Sequence, residues 1–253
     1  MKQQSGWFGR LTGEISVAMR IAQKDARIYY LKPPVIMSSF FFPGFMVLAF
    51  TVGRPVEPAL LVSALAAITS FFAAGSVGPA VLPLERRART LERLLDAPIA
   101  PFTVILGKTL AGAALGLAVS ALPLLIGVAW LSVPAFPALL LLLSAALSAL
   151  AFSAFGLVFS TRAEDIPSAM MPANLIRFPM LFVSGALMPL DRMPAFLQPI
   201  AYLMPLTYSV DAMRQSMPGP LAPWAMVRDL AAMGLFLALC LGAATLSLRR
   251  DMR

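Results

Sequence analysis

The sequence predicts an all-α integral membrane protein. Six transmembrane helices are preceded by an amphipathic interfacial helix, a charged helix separates the second span from the third, and re-entrant helices lie between the fifth and sixth. Three observations predict it. Apolar residues make up 59% of the 253 residues and charged ones only 13%, where a soluble domain carries about 25%; mean hydropathy is +0.82. Six apolar runs, at 34–52, 59–82, 102–129, 138–160, 169–188 and 224–248, each reach the roughly 20 residues a helix needs to cross a bilayer. The basic residues collect beside alternate ends of those runs, which is the pattern of membrane orientation and not of nucleic-acid binding, in spite of a net charge of +8. The whole of 1–253 reads as one transmembrane domain.

Residues 10–32 open the chain as an amphipathic helix. Leu11, Ile15, Ala18, Met19, Ala22, Ala26 and Tyr29 share one face, and Arg20, Gln23, Lys24 and Arg27 the other. Such a helix lies in the interface with its cations at the lipid headgroups. Lys32-Pro33-Pro34 turns the chain into the bilayer. With charges scattered through the 32 residues before the first apolar run, a cleavable signal peptide is not expected.

The linkers at 53–58 and 131–137 are short, rich in Pro and nearly uncharged, and are assigned to the outside. With a cytoplasmic N-terminus, fifteen Lys and Arg then lie inside and four outside (Arg54, Arg192, Arg214 and Arg228), which places both termini in the cytoplasm.

Between spans two and three the chain becomes charged, and 83–98 reads as a short helix ended by Pro98. Leu84, Ala88, Leu91 and Leu95 fall on one stripe, while Glu85, Arg89, Glu92 and Arg93 gather opposite, with Glu85 and Arg89 spaced as an i,i+4 pair. The expectation is a helix flat on the membrane that offers its charges to a partner in the water.

Gly107-Lys108-Thr109 ends like a phosphate-binding loop, but Phe102 stands where that loop needs its first Gly, and an apolar span follows. Lys108 is therefore read as a cytosolic anchor of span three. Gly112 and Gly116 form a GxxxG in that span, which permits close helix packing. In span five, Asn174 and Arg177 are polar groups in expensive surroundings and flag function; alternatively Arg177 snorkels or pairs with Glu164 or Asp165. The stretch 189–217 is too apolar for a free loop and too often broken by Pro to cross, so re-entrant helices in the outer leaflet are expected.

No His is present and Cys240 is the sole Cys. The commonest general base and metal ligand are thus missing, and no intrachain disulfide is possible. An ion-coupled secondary transporter would need ionisable groups near mid-membrane, where only Arg177 stands.

Two motifs make the chain resemble the membrane subunit of a type 2 ABC exporter, the family of drug-efflux and of polysaccharide or lipo-oligosaccharide permeases. The first is Glu85-Arg86, then Arg89-Thr90-Leu91-Glu92-Arg93-Leu94-Leu95-Asp96-Ala97-Pro98, with Leu106-Gly107-Lys108 after it. The second is Ser184-Gly185 through Pro189-Leu190, then Pro194, and Pro205-Leu206-Thr207-Tyr208 with Asp211 and Arg214. The chain departs from the pattern at Arg89, where Gly usually precedes Thr-Leu-Glu. The resemblance implies a dimer of permeases, with a second copy most simply of the same chain, in the inner membrane of a prokaryote. Two copies of a cytoplasmic ABC ATPase would dock on Glu85, Arg86 and Arg89–Leu95 as a coupling helix, and ATP and Mg would be held by that partner and no cofactor by this chain. The family further implies a translocation path or dimer seam along Asn174, Arg177, Ser184 and Gly185, and an outer lid built from the second motif. An amphiphilic drug or lipid-like substrate is expected, with a polysaccharide or lipo-oligosaccharide as the alternative.

Overall fold

A computed structural model describes residues 7–53, 57–97, 99–131, 135–188, 190–217 and 222–251. Arg54, Pro98 and Pro189, parts of both Pro-rich linkers and the side chain of Leu95 lie outside the described residues. Among the described residues the chain is helical and holds no strand. Helix α1 (Trp7–Asp25) runs into a π-helical turn, Ala26–Tyr30, before α2 (Pro33–Thr51); α3 (Pro58–Ser76) is followed by α4 (Gly78–Arg87) and α5 (Thr90–Leu95). The long α6 (Pro101–Leu131) and α7 (Ala135–Ser160) come next, then α8 (Ile166–Val183), a 3-10 turn at Leu190–Arg192, α9 (Gln198–Leu203), α10 (Pro205–Gln215) and α11 (Pro223–Asp251). Pro opens α2, α3, α6, α10 and α11, where its missing N–H would have had no partner.

Five helical stretches are long and apolar enough to cross a membrane: Pro58–Arg87, Pro101–Ala129, Pro137–Ser160, Ile166–Val183 and Pro223–Arg250. A sixth belongs to a pair bent by 72°, Gly13–Tyr30 with Val35–Ala49. The bend follows from Lys32, held extended (φ −94°, ψ 134°) by the proline after it. The protein is thus an all-α, multi-pass membrane protein. Its second span runs on through α4 instead of ending near residue 82, and the helical part of the fifth is 166–183, shifted towards the N-terminus from 169–188.

Helix α3 is the centre. Ala66, Ala67, Ile68, Phe71, Ala73 and Ala74 are all fully buried, and its alanines let α6, α7 and α10 lie close. The GxxxG of α6 does this work from the other side: a Cβ on Gly116 would sit 2.7 Å from the Ala74 Cβ, and one on Gly112 only 2.3 Å from Ser153 Oγ of α7. At the periphery, α2 and α8 turn Phe41, Phe45, Met171, Leu175 and Phe182 outward.

Helix α10 is packed into the bundle against α3, α7 and α11. Ser209 on α10 donates to Ser148 Oγ at 2.7 Å, and both are buried. Ser148 is near the midpoint of α7.

Candidate functional site

The expected single helix at 83–98 is two helices. Helix α4 ends at Arg87, and Arg89 takes a left-handed conformation (φ 53°, ψ 24°) before α5 starts at Thr90. No other non-glycine residue among those described has positive φ. The left-handed region costs an L-residue about 1–2 kcal/mol, which explains why glycine is the residue at home in this turn. The break resets the helical phase, so Leu84, Ala88 and Leu91 do not share one stripe. Ala88 is exposed, Leu84 half-buried and Leu91 buried; Glu92 and Arg93 are exposed as expected.

Glu85 is the main correction. Instead of facing the cytosol beside Arg89, it is 1% exposed and enters a ring of four charges. Lys108 Nζ lies 2.6 Å from Glu85 Oε2 and 3.0 Å from Asp25 Oδ2. Lys24 Nζ lies 2.6 Å from Glu85 Oε1 and 2.8 Å from Asp25 Oδ1, the latter contact out of line for a hydrogen bond. Lys108, assigned from sequence to the cytosolic surface, is fully buried. The ring ties α1, α4 and α6 at one point, with no net charge. Its closure depends on Gly107, because a Cβ there would come within 2.7 Å of the Ala18 carbonyl oxygen and hold α1 off α6. The apolar face expected of α1 is divided: Ala18 and Ala22 are buried, together with Ile21 and Asp25, while Ile15 and Met19 stay exposed.

The rest of the turn is fastened to α7. Leu82 N–H donates to Ser160 Oγ at 3.1 Å, and Arg86 Nη2 donates to the Thr161 carbonyl at 2.7 Å. Thr90 Oγ1 donates to the Glu85 carbonyl at 3.3 Å. What remains free to meet a partner is α5 with its flanks: Arg87, Arg89, Thr90, Glu92, Arg93 and Asp96 are exposed, and Leu94 is half-buried.

Arg177 neither snorkels nor pairs with Glu164 or Asp165. Asp165 caps α8 instead, accepting from Ser168 N–H at 2.9 Å, about 18 Å down the helix. Arg177 as a residue is 2% exposed. It donates to the Gly75 carbonyl and to Asn174 Oδ1, and lies 5.5 and 5.8 Å from the ring centroids of Phe71 and Phe72. Gly75 makes this possible, since a Cβ there would meet Arg177 Nη2 at 3.0 Å. Ser184 and Gly185 lie about two turns further on, as the C-cap of α8 and the glycine after it (φ 78°), and Leu190 packs on that glycine. The structure therefore brings Asn174 and Arg177 together but sets Ser184 and Gly185 apart.

The second motif folds on itself. Thr207 Oγ1 donates to the Ala201 carbonyl at 2.6 Å and Tyr208 Oη to the Tyr202 carbonyl, which fixes α10 to α9. Pro205 and Leu206 are buried, while Pro194 and Arg214 are exposed. Arg228 of α11 stands 5.9 Å from the Tyr208 ring centroid, and Gln215 donates to Asp229 Oδ2 at 2.7 Å. Burial pushes the Asp211 carboxyl up to about 6 from the ordinary 3.8; Asp229 and Asp191 add to the rise, and Arg214 and Arg228 oppose it. The fold thus prefers the protonated form. The stability linked to this group is full below pH 3.8 and is lost as pH rises through about 6. Asp211→Asn is expected to raise the thermal unfolding temperature at neutral pH, by a free energy of up to about 3 kcal/mol, and to flatten the gain seen on acidification from about pH 7 to pH 5. An unchanged profile would mean that Asp211 is solvated.

Comparison with known proteins gives these features a context. The model of the family described as ABC-2 type transporter matches residues 17–217, from α1 to the end of α10. Nodulation protein J of Rhizobium leguminosarum bv. trifolii is 32% identical over 140 residues, covering 52% of this chain and 50% of the relative. The inner membrane transport permease YhhJ of Escherichia coli is 34% identical over 128 residues, 50% of this chain and 34% of the relative. The probable multidrug ABC transporter permease YbhR of the same organism is 24% identical over 132 residues, 52% and 36%. The aligned stretches span half or less of these relatives' own length. The matched family region takes in the charge ring, the left-handed turn, Arg177 and the α9–α10 motif, and the chain belongs to the ABC-2 type transporter family.

Proposed function

We propose that this chain is the membrane-spanning subunit of an ATP-driven exporter, working as a dimer with two cytoplasmic ABC ATPase subunits. Both termini lie in the cytoplasm of a prokaryotic cell, and ATP and Mg are held by the ATPase. The observation that carries the proposal is α5: a short exposed helix with Glu92 and Arg93 outward, mounted on the end of a span whose base is locked by the buried ring. A lever needs a free tip and a fixed root. ATP-driven closure of two ATPases would move the tip, and the ring would pass that motion to α1 and α6 as a rigid body. Helices α9 and α10 would act as an outer lid, and α2 and α8, with their outward apolar faces, would form the seam with the second copy. The substrate proposed is an amphiphile, in keeping with the aromatic residues around Arg177; the name of YbhR points to multidrug transport in that relative.

Co-purification tests the assembly: an ATPase of the ABC type should come down with the detergent-solubilised protein, and its absence from native membranes would overturn the reading. Orientation has its own test. In a Cys240→Ala background, Ala195→Cys should react with a membrane-impermeant maleimide on intact cells and Asp96→Cys should not. The reverse pattern would place α5 outside and remove the coupling role.

A further inference from the structure

Among the described residues Arg177 has no counterion. Its interactions are two hydrogen bonds to neutral oxygens and two aromatic faces, and its Nε has no partner. A buried guanidinium stays charged and carries five N–H donors, and leaving a charge unpaired in apolar surroundings is costly. The helices around it offer no free carboxylate: α2, α3, α6, α7 and α8 contain no Asp or Glu, and Glu85 of α4 is held by Lys24 and Lys108. A second copy joined by a two-fold axis along α2 and α8 would bring the same surface to this place, again without a carboxylate. A ligand is thus the source of counter-charge left to this site.

There is room for it. A cavity of about 260 Å³ between α2, α3 and α8 is lined by Ser38, Ser39, Ser76, Asn174 and Arg177 together with Phe42, Phe72 and Phe178. Ser39, in the same lining, is buried and its hydroxyl has no partner among the described residues. Phe42 and Phe178 are partly exposed at the rim, and Phe42 packs on Phe72 with centroids 4.9 Å apart.

We propose that this cavity is an anion subsite that takes the phosphate, sulfate or carboxylate head of an amphiphile, with the apolar part lying along Phe42, Phe72 and Phe178. A guanidinium matches an oxyanion through paired N–H donors, and Arg177, which lines the cavity, has an Nε–H that no group of the described residues accepts. The place of this site in transport rests on the exporter reading, but its binding does not need the ATPase.

The test uses the full chain in phosphatidylcholine nanodiscs, titrated calorimetrically with dodecyl phosphate and, as the charge control, dodecyltrimethylammonium. Saturable binding of the anion alone is expected. Arg177→Met should weaken it by about tenfold or more, the worth of a charge-assisted hydrogen bond. Asn174→Asp keeps Arg177 and puts a carboxylate where Asn174 Oδ1 lies 3.3 Å from Nη1; this internal counterion should weaken binding similarly while the unfolding temperature holds or rises. Asn174→Asp decides the matter if Arg177→Met fails to fold. Competition by phosphatidylglycerol in the disc would identify a lipid headgroup as occupant, and competition by inorganic phosphate alone a soluble anionic substrate. Binding that survives Asn174→Asp, equal binding of the cation, or competition from neither source would overturn the site. Such a result leaves ATPase co-purification untouched, and loss of co-purification leaves this binding untouched, so the two readings fail separately.

Discussion

Lys108→Met is expected to leave little folded protein. The Lys108 ammonium is fully buried and bonded to two carboxylates that are themselves 0% and 1% exposed. Without it, Asp25 and Glu85 are left with Lys24, which is 42% exposed, as the remaining cation of the ring. Breaking a buried pair by removing one partner costs about 3–5 kcal/mol, a large share of the roughly 5–15 kcal/mol that holds a typical fold. The measurement is the monodisperse fraction on size-exclusion chromatography in detergent, with thermal unfolding of whatever survives. Asp25→Asn, Glu85→Gln and Lys108→Met together should recover most of the loss, because the penalty lies in unpaired charge and not in a missing attraction. An unfolding temperature unchanged in the single Lys108→Met variant would show that the ring is hydrated and of little consequence.

Reversing Glu92 and Arg93 together should have the opposite profile: normal amounts in the membrane, normal unfolding, and no coupling. Both side chains are exposed in the isolated subunit, where a surface charge pair is worth about 0–1 kcal/mol. Their cost must appear when a partner covers them, since truncating or reversing one side of a desolvated charge pair takes about 2–5 kcal/mol from association. That corresponds to a loss of binding of about thirtyfold or more. Pull-down of the ATPase and ATP turnover in reconstituted liposomes provide the readout. If both survive the double reversal, α5 is a solvated surface element and the coupling assignment fails.

The spans, the 72° bend at Lys32-Pro33 and the close packing through Gly112 and Gly116 were legible because each rests on a local rule: length of an apolar run, restriction before proline, absence of a Cβ. The charge ring was not, since its members are separated by 61 and 83 residues and each looks locally like a surface charge. One signal did point to it. Ala18, Ala22 and Asp25 fall on a single helical stripe of small residues, and an acid at the end of such a stripe is buried with it. The phase of α4 and α5 was misread for a related reason. A periodicity argument assumes an unbroken helix, and the break at Arg89 is made by a residue that does not advertise a left-handed turn, although the departure from glycine at that position marked the spot. Arg177 was flagged correctly as expensive, but its partner is a backbone carbonyl at Gly75, 102 residues away, which no side-chain pattern can reveal.

The ring also sets an order of events during synthesis. Asp25 leaves the ribosome first, Glu85 follows, and Lys108 arrives 83 residues after Asp25. Until then Lys24 is the one ring cation that Asp25 and Glu85 can share. The ring at the base of the second span can therefore be completed only when α6 has emerged and supplied Lys108.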